Sequence, residues 1–347
     1  MKKSLFLLFA WCIAVVATAQ QKARVYAVGF YNQENLFDTC HDAGKQDYDF
    51  LPGGSYKWDG LKYGHKLRNM ARALADMGTD VLPHVGCAVI GLSEVENRRV
   101  LEDLVRQQPL AERGYTFAHI EGPDRRGIDC ALLYNPQLFT KQTERLVPYV
   151  TREAKDSAFF TRGFFTVTGE LAGEPVAFIV CHLPSRFSGS SYREWGATQV
   201  CAVKDSLLAL SPAMKVMVMG DMNDDPTDNS MRQCLSAEAE VAQVGPQDMY
   251  NPWYNMLVKQ GTGTLQYRGA WNLFDQIILS PNLLNALGTK DFSTLKFWKA
   301  RIQRMPYLFE TEGKYKGSPK RTTAGGVWLD GYSDHLPVCV YLVKTQQ

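Results

Sequence analysis

Short apolar runs separated by turn residues recur along this chain and predict a protein built largely from β-strands. The runs are five to eight residues long and contain many β-branched and aromatic side chains, as strands of a half-buried sheet do. The predicted strands are residues 24–31, 88–92, 115–120, 128–134, 164–171, 176–182, 215–219, 276–280 and 338–343.

Helical spacing of apolar residues occurs in three stretches, 67–77, 101–105 and 195–207. Helices therefore fall between some of the predicted strands but not between others, which favours an α+β or layered α/β fold. Neither an internal repeat nor a long Pro/Ser-rich linker interrupts the pattern. We predict one domain over residues 20–347.

The first 19 residues have the pattern of a secretory signal. Lys2 and Lys3 precede an apolar stretch, and the small residues Ala17-Thr18-Ala19 follow it. We predict cleavage before Gln20 and export to the periplasm or the medium, with an uncleaved anchor as the alternative. The chain contains no later run of 18 apolar residues, so the sequence predicts no stable membrane span.

Charge and cysteine content narrow the function classes. The whole chain has 38 basic and 36 acidic residues, and loss of the two signal lysines would make the mature protein formally neutral. A neutral protein lacks the broad positive field behind non-specific nucleic-acid binding, so a polyanion would need a local basic patch or a bound metal. Export permits disulfides. Cys40, Cys201 and Cys234 are candidates for one bridge, whereas the other mature cysteines fall in apolar runs and are expected as buried thiols or bridges.

Polar residues that break the apolar pattern at strand ends are the candidate site. Carboxylates there are hard oxygen ligands suited to Mg²⁺ or Mn²⁺, and an imidazole exchanges protons near neutral pH. This combination predicts a metal-dependent phosphodiesterase. The residues are Asn35, Glu94, His182, Asp221, Asn223, Asp275, Asp334 and His335.

Taken singly, several of these residues have a structural alternative. Glu94 could cap a following helix, His182 could be a satisfied structural histidine, and residues 221–226 are rich in the Asp, Asn and Pro of an Asx turn. Asp221 and Asn223 are two residues apart and would share one side of an extended backbone. The weight of the prediction lies in the combination.

In this order and spacing the residues resemble the endonuclease/exonuclease/phosphatase family, the DNase I-like phosphodiesterases. The resemblance covers nearly the whole mature chain. It implies an α/β (α+β) four-layer sandwich, in which two mixed, largely antiparallel sheets pack face to face with helices outside. The site would lie at one edge of the sandwich, where loops from both sheets meet.

The resemblance also implies roles for these residues. His335, oriented by Asp275, would activate the attacking water. Glu94, supported by Asn35, would hold Mg²⁺ or Mn²⁺, with Asp334 as a second metal ligand.

The remaining roles concern the phosphate. Asp221 would position the nucleophile, Asn223 would hydrogen-bond the phosphate, and His182 would stabilise the phosphate or the leaving oxygen. Weaker matches are Arg162 and Arg126 as phosphate contacts, and Glu121 as the carboxylate that orients His182.

Substrate is less well defined by the sequence. DNA-nicking members tend to carry a basic residue soon after the metal-binding glutamate, whereas Glu96 follows Glu94 here, which disfavours duplex DNA. Aromatic clusters at 250–254 and 267–274 offer stacking surfaces, and the basic, glycine-rich stretch 313–326 predicts a surface loop.

The leading hypothesis is an exported phosphodiesterase acting on nucleic acid or nucleotides. The alternatives are a phosphatase or phospholipase-type enzyme acting on lipid headgroups or sugar phosphates, and, from another class, a catalytically silent binding protein. The sequence identifies no protein partner.

Overall fold

The computed structural model describes residues 22–152 and 159–346, so the predicted signal segment and its cleavage site lie outside the described residues. In chain order the strands are β1 (Ala23–Leu36), β2 (Cys87–Val95), β3 (Thr116–His119), β4 (Asp129–Tyr134), β5 (Phe139–Val147), β6 (Phe164–Leu171), β7 (Glu174–His182), β8 (Lys215–Asp221), β9 (Ala237–Glu238), β10 (Met249–Tyr250), β11 (Leu265–Tyr267), β12 (Ala270–Asn272), β13 (Asp275–Leu279), β14 (Lys296–Ile302), β15 (Thr323–Ala324), β16 (Val327–Trp328) and β17 (Val338–Thr345). The α-helices are α1 (Gly60–Asp76), α2 (Arg98–Val105), α3 (Gln108–Glu112), α4 (Ser190–Leu210) and α5 (Tyr254–Gln260).

Two large mixed sheets dominate the described part of the chain. The first has the strand order β14-β17-β1-β2-β4-β3, and the second has the order β5-β6-β7-β8-β13-β10-β9. Each contains one central parallel pair, β1 with β2 and β7 with β8, flanked by antiparallel neighbours. This arrangement brings the carboxyl ends of four central strands, and the amino ends of β13 and β17, to one edge of the sandwich.

Alternation along β1 shows how the layers form. Val28 and Phe30 belong to the core between the two sheets, whereas Ala27 and Tyr31 pack on the opposite face with α1. On the outer face of the second sheet, α4 covers β7 and β8 with Val200 and its neighbours. Period-2 strands and period-3.6 helices therefore build helix, sheet, sheet and helix layers. The four-layer sandwich expected from the sequence is confirmed.

The predicted strands all coincide with observed strands, but the longer strands β5 and β14 were missed, as were the two- and three-residue strands β9 to β12, β15 and β16. β5 and β14 are both edge strands. The side chains of β5 are largely polar and exposed, and the apolar residues of β14 are interspersed with Lys296, Lys299 and Arg301, so neither shows the apolar alternation of a covered strand. In the described part of the chain no helix is long and apolar enough to cross a membrane.

The cysteines from Cys40 to Cys339 are all free thiols, including the three suggested for a bridge.

Candidate active site

Six side chains converge at the edge where β1, β2, β7 and β8 end and where β13 and β17 begin. The register between strands accounts for part of this, because β8 places Asp221 opposite both His182 of β7 and Asp275 of β13. The second sheet then meets the first through side-chain contacts across the edge. The six residues are Asn32, Glu94, His182, Asp221, Asp275 and His335.

His335 and Asp275 form a buried pair. The Nδ1 atom of His335 lies 2.7 Å from Oδ2 of Asp275, and the aspartate is fully buried. Nε2 of the same ring lies 3.7 Å from Oδ2 of Asp221. Burial opposes protonation of the imidazole, but the charges of Asp275 and Asp221 outweigh it and raise the pKa of His335 well above its usual range. The ring is thus held by one carboxylate and presents its other nitrogen toward a second.

Asn32 contacts both Glu94 of the first sheet, the candidate metal ligand, and Asp221 of the second sheet. Its amide nitrogen donates to Oδ2 of Asp221 at 3.0 Å and lies 3.4 Å from Oε1 of Glu94. Asn35, which the sequence analysis chose for this place, contacts Glu94 through its backbone N–H, 2.9 Å from Oε2.

The side chain that contacts Glu94 is therefore that of Asn32, whereas Asn35 reaches Glu94 through its backbone. Val28, Phe30 and Asn32 follow the inward-facing alternation of β1, whereas Glu34 and Asn35 have φ of 44° and 55°, which ends the extended backbone. The sequence does contain a pattern that indicates Asn32, because it follows Val28 and Phe30 at the same two-residue spacing and is the first polar residue after them on that face of β1.

His182 is a buried imidazole close to two carboxylates. Its Nε2 lies 3.6 Å from Oδ2 of Asp221 and 3.9 Å from Oε1 of Glu94. Burial, with the nearby charges of Arg162 and Arg126, lowers the pKa of His182 well below its usual range. A neutral ring can donate one hydrogen bond to a phosphoryl oxygen.

Glu121 does not orient His182, contrary to the sequence-based expectation. Its side chain is exposed, and Nδ1 of His182 has no hydrogen-bond partner in the described part of the chain. The loop after β3 is turned away by Asp129, which binds His119 at 3.1 Å and the backbone N–H of Gly122 at 3.0 Å.

Asp221 and Asn223 form an Asx turn that also belongs to the site. The backbone N–H of Asn223 donates to Oδ1 of Asp221, and the Asn223 amide donates to the Leu183 carbonyl. Burial, aided by Asp275 and opposed by His335, raises the pKa of Asp221 to about 6. Residues 221–223 therefore adopt the Asx turn that the sequence allows, and Asp221 lies within the site; its role in positioning the nucleophile stays a prediction.

Arginines bound the cavity in front of these residues. Arg126 is half-exposed, with Nη2 3.8 Å from Oε1 of Glu94. Arg162 is largely buried and donates to Oδ2 of Asp124 at 3.1 Å and to the Leu183 carbonyl at 3.3 Å. Asp124, part of the stretch 124–129 that the sequence offers as a candidate for phosphate approach, therefore fixes Arg162, and Arg126 is the more exposed of these two arginines.

The cavity has a volume of about 430 Å³. Arg125 and Phe160 stack at its rim, with the guanidinium 5.4 Å from the ring centroid. Asp334 also lines the cavity, and its Oδ2 accepts a hydrogen bond from Arg321 at 3.1 Å. Other residues that line the cavity are Glu94, Arg126, Phe159, Arg162, His182, Asp221, Asn223 and His335.

The oxygen donors in this cavity fit a hard divalent cation. Oε1 of Glu94 has no donor closer than the Asn32 amide at 3.4 Å among the described residues, so this oxygen is available as a ligand. Asp334 is partly exposed in the same cavity. The described residues hold no cluster of three or more His, Cys, Asp or Glu that could ligate a metal. The two carboxylates that face the cavity, Glu94 and Asp334, are within the number that a hydrated divalent cation such as Mg²⁺ takes from a protein.

Several solved structures share this architecture. A humanized D. rerio TDP2 is 15% identical, over 92% of this chain and 98% of that chain, with a TM-score of 0.52. A mannosyl-6-phosphatase from Bacteroides thetaiotaomicron is also 15% identical, over 91% and 99% of the two chains, with a TM-score of 0.54. An endonuclease/exonuclease/phosphatase family protein from the same organism is 15% identical, over 94% of this chain and 100% of that chain, with a TM-score of 0.54.

No curated protein sequence matches the chain significantly. The family model described as the Endonuclease/Exonuclease/phosphatase family matches residues 27–344, which is nearly the whole chain. The resemblance noted from the sequence is thereby confirmed. The chain belongs to the endonuclease/exonuclease/phosphatase family and is a hydrolase of phosphate esters.

Proposed function

We propose that the chain is an exported, divalent-metal-dependent phosphodiesterase that acts on nucleotides or single-stranded nucleic acid. The observation that carries this proposal is the convergence of the His335–Asp275 pair, Asp221 and Glu94 on one cavity. Export rests on the signal pattern of residues 1–19.

The protein supplies proton transfer and positioning. Nε2 of His335 and Oδ2 of Asp221 are 3.7 Å apart, so a water at the cavity face can hydrogen-bond to both groups. The Asp275 carboxylate fixes the imidazole tautomer and stabilises the charged ring. Arg126 faces the same cavity and can neutralise charge that develops on the phosphoryl oxygens, and the neutral ring of His182 can donate a hydrogen bond to one of them.

A divalent ion fits the oxygen donors described above. Glu94 and Asp334 would hold it, and Asn32 would keep Glu94 in place. When bound, the ion would act as a Lewis acid on a phosphoryl oxygen and lower the charge that the transition state develops.

Substrate size is inferred from the cavity rather than from Glu96. Glu96 is buried and accepts a hydrogen bond from the Asp38 backbone at 2.7 Å, so it does not face a nucleic-acid groove and does not argue against duplex DNA. A cavity of about 430 Å³ is in the range of small-molecule sites. Phe160 at its rim offers a ring on which a base can stack.

The test is a hydrolysis panel with the mature chain in Mg²⁺. It contains a dinucleotide, a single-stranded oligonucleotide, supercoiled plasmid, a glycerophosphodiester and a sugar phosphate. We expect cleavage of the first two at rates above the others, loss of cleavage in EDTA, and loss in His335→Ala. The exposed His84 provides a matched control, and His84→Ala should cleave normally. Faster hydrolysis of the sugar phosphate or the lipid headgroup would overturn the nucleotide assignment.

A further inference from the structure

A second and larger cavity adjoins the catalytic one. Its volume is about 740 Å³, and it shares Leu265 and Asp334 with the catalytic cavity. Leu265 also pairs with His335 as an antiparallel bridge between backbones. A ligand that extends out of the catalytic cavity past Asp334 therefore enters this second space, here named the basic cavity.

The basic cavity carries positive charge that the described residues leave uncompensated. Arg268, Lys314 and Lys316 line it, and none of the three has a carboxylate within 4.0 Å in the described part of the chain. Glu310 also lines the cavity but forms no ion pair with any of them, so the wall keeps a net positive charge. A fourth cation, Arg321, is already engaged by Glu34 at 3.2 Å and by Asp334 at 3.1 Å. Three free cations on the walls of one cavity are a suitable arrangement for binding an anion.

The same walls also offer apolar surface. Tyr315 is 65% exposed and Leu329 is 39% exposed, and both line the cavity together with Leu265. Lys314 lies 5.6 Å from the Tyr315 ring, so charge and ring are presented side by side. An anion carried on a ring, such as a sugar or a base, would match this combination better than a free inorganic ion.

Buried hydrogen bonds connect the segment around Thr322, next to the basic cavity, with β1 and α1. Glu34 of β1 accepts from the Thr322 backbone at 2.6 Å, and Lys66 of α1 donates to Thr322 Oγ1 and to the Tyr332 carbonyl, both at 2.5 Å. Across the cavity, Ser318 donates to Gln266 of β11. The walls are therefore tied to β1, the strand that also carries Asn32.

We propose that the basic cavity binds a second phosphate group of the substrate, carried on the same sugar or nucleoside as the phosphate that reacts. Arg268, Lys314 and Lys316 would contact that phosphate, and Tyr315 and Leu329 would pack against the ring. This inference rests on the proposed function, because it takes the reacting phosphate to lie in the catalytic cavity.

The test compares ligands with one and two phosphates. Dissociation constants are measured by calorimetry in Mg²⁺ on the His335→Ala chain, so that the ligands are not consumed. One pair is adenosine 5′-monophosphate and adenosine 3′,5′-bisphosphate, and the other is fructose 6-phosphate and fructose 1,6-bisphosphate. The two pairs separate a nucleotide source of the second phosphate from a sugar source.

We expect the bisphosphate of at least one pair to bind about tenfold more tightly than its monophosphate, a preference that falls as salt is added. Adding Lys314→Gln and Lys316→Gln should reduce this preference to about twofold or less, and Arg268→Gln alone should reduce it in part. Both lysines are exposed, so these variants should keep the melting temperature of their parent. Lys22→Gln with Lys290→Gln removes two exposed lysines elsewhere and should leave the preference intact.

Equal binding of both members in both pairs would overturn the inference, as would a preference that survives the loss of Lys314 and Lys316. Hydrolysis of the single-stranded oligonucleotide by the parent chain, measured in parallel, separates this result from the proposed function. Hydrolysis without a second-phosphate preference overturns the inference alone, whereas a preference without any hydrolysis overturns the proposed function alone.

Discussion

At the residue scale, one amide joins the two halves of the site. Asn32 donates to Asp221 and approaches Glu94, so it holds together a carboxylate from each sheet. We predict that Asn32→Ala lowers kcat by about 100-fold, the usual loss when one positioned donor is removed from an active site. Steady-state kinetics on a phosphodiester in Mg²⁺ would measure it.

The matched control is Asn35→Gly. Asn35 contacts Glu94 through its backbone N–H at φ 55°, a conformation that glycine adopts without strain. This variant should keep kcat within about twofold, because the backbone donor is unchanged. Equal losses in the two variants would contradict the assignment of Asn32 as the supporting side chain.

Asp275 acts through His335 and needs a separate prediction. Asp275→Asn keeps the size of the side chain but removes the charge that stabilises the protonated ring. We predict a fall in kcat of about 10²- to 10⁴-fold, the range for loss of general acid–base catalysis, with little change in KM. The exposed Asp291 gives the comparison variant Asp291→Asn, which should be unaffected. An equal fall in that variant would indicate a non-specific loss.

The sequence was sufficient to find most of the site because most of its residues interrupt an apolar strand at its end. Glu94, His182, Asp221, Asp275 and His335 share that signal, and the fold places these strand ends at one edge. The sequence could not show which of Asn32 and Asn35 directs its side chain at Glu94, since the positive φ angles that end the extended part of β1 come from tertiary packing. Asp124 and Phe160 lie in loops, where no periodic pattern indicates direction.

At the element scale, the parallel pair of β7 and β8 decides whether His182 can meet Asp221. A Cβ on Gly220 would lie 2.0 Å from the Cys181 carbonyl oxygen, next to the register pair of His182 and Asp221. Gly220→Ala must therefore push the strands apart at the site. We predict a melting temperature about 5 °C lower and kcat reduced at least about tenfold.

Calorimetry and kinetics would test the Gly220 prediction. Gly60→Ala is the control, because open space surrounds a Cβ at that position at the start of α1. Gly60→Ala should leave the melting temperature unchanged or raise it slightly, because alanine favours helix more than glycine does. Normal activity in Gly220→Ala would show that the register of β7 and β8 is less important than the structure indicates.

Elements differ in how well the pattern of the chain reveals them. Covered strands such as β6 and β8 alternate or run apolar, and each was predicted. The edge strands β5 and β14 pair on one side only and carry charged residues, so their formation depends on a neighbour distant in sequence.

At the scale of the whole molecule, Glu174 ties the two sheets together. This residue of β7 binds Lys215 of β8 at 2.5 Å, Lys344 of β17 at 2.8 Å and the Leu295 backbone at 2.8 Å. Burial alone would raise the pKa of Glu174, but these three donors outweigh it and lower the pKa below its usual range. The folded state therefore favours the ionised carboxylate.

This shift sets the direction of a pH effect. A carboxyl group with a lowered pKa stabilises the fold above its ordinary pKa, and the contribution disappears as the pH falls through the lowered value. We predict that Glu174→Gln melts about 5 °C below the parent at neutral pH, and that the difference shrinks below about pH 4. Glu112→Gln, at an exposed site, should match the parent at every pH. A difference that stays constant with pH would contradict the ionic account.

We propose that hydrolysis of a phosphate ester at this site requires a divalent ion held at Glu94. Mn²⁺ binding and phosphodiester hydrolysis should be measured on the same samples of the parent chain and of Glu94→Gln. We expect the parent to bind the ion and to hydrolyse the substrate only when the ion is bound, and the variant to lose both properties. Undiminished hydrolysis in EDTA, or normal ion binding and activity in Glu94→Gln, would rule out this role of the ion.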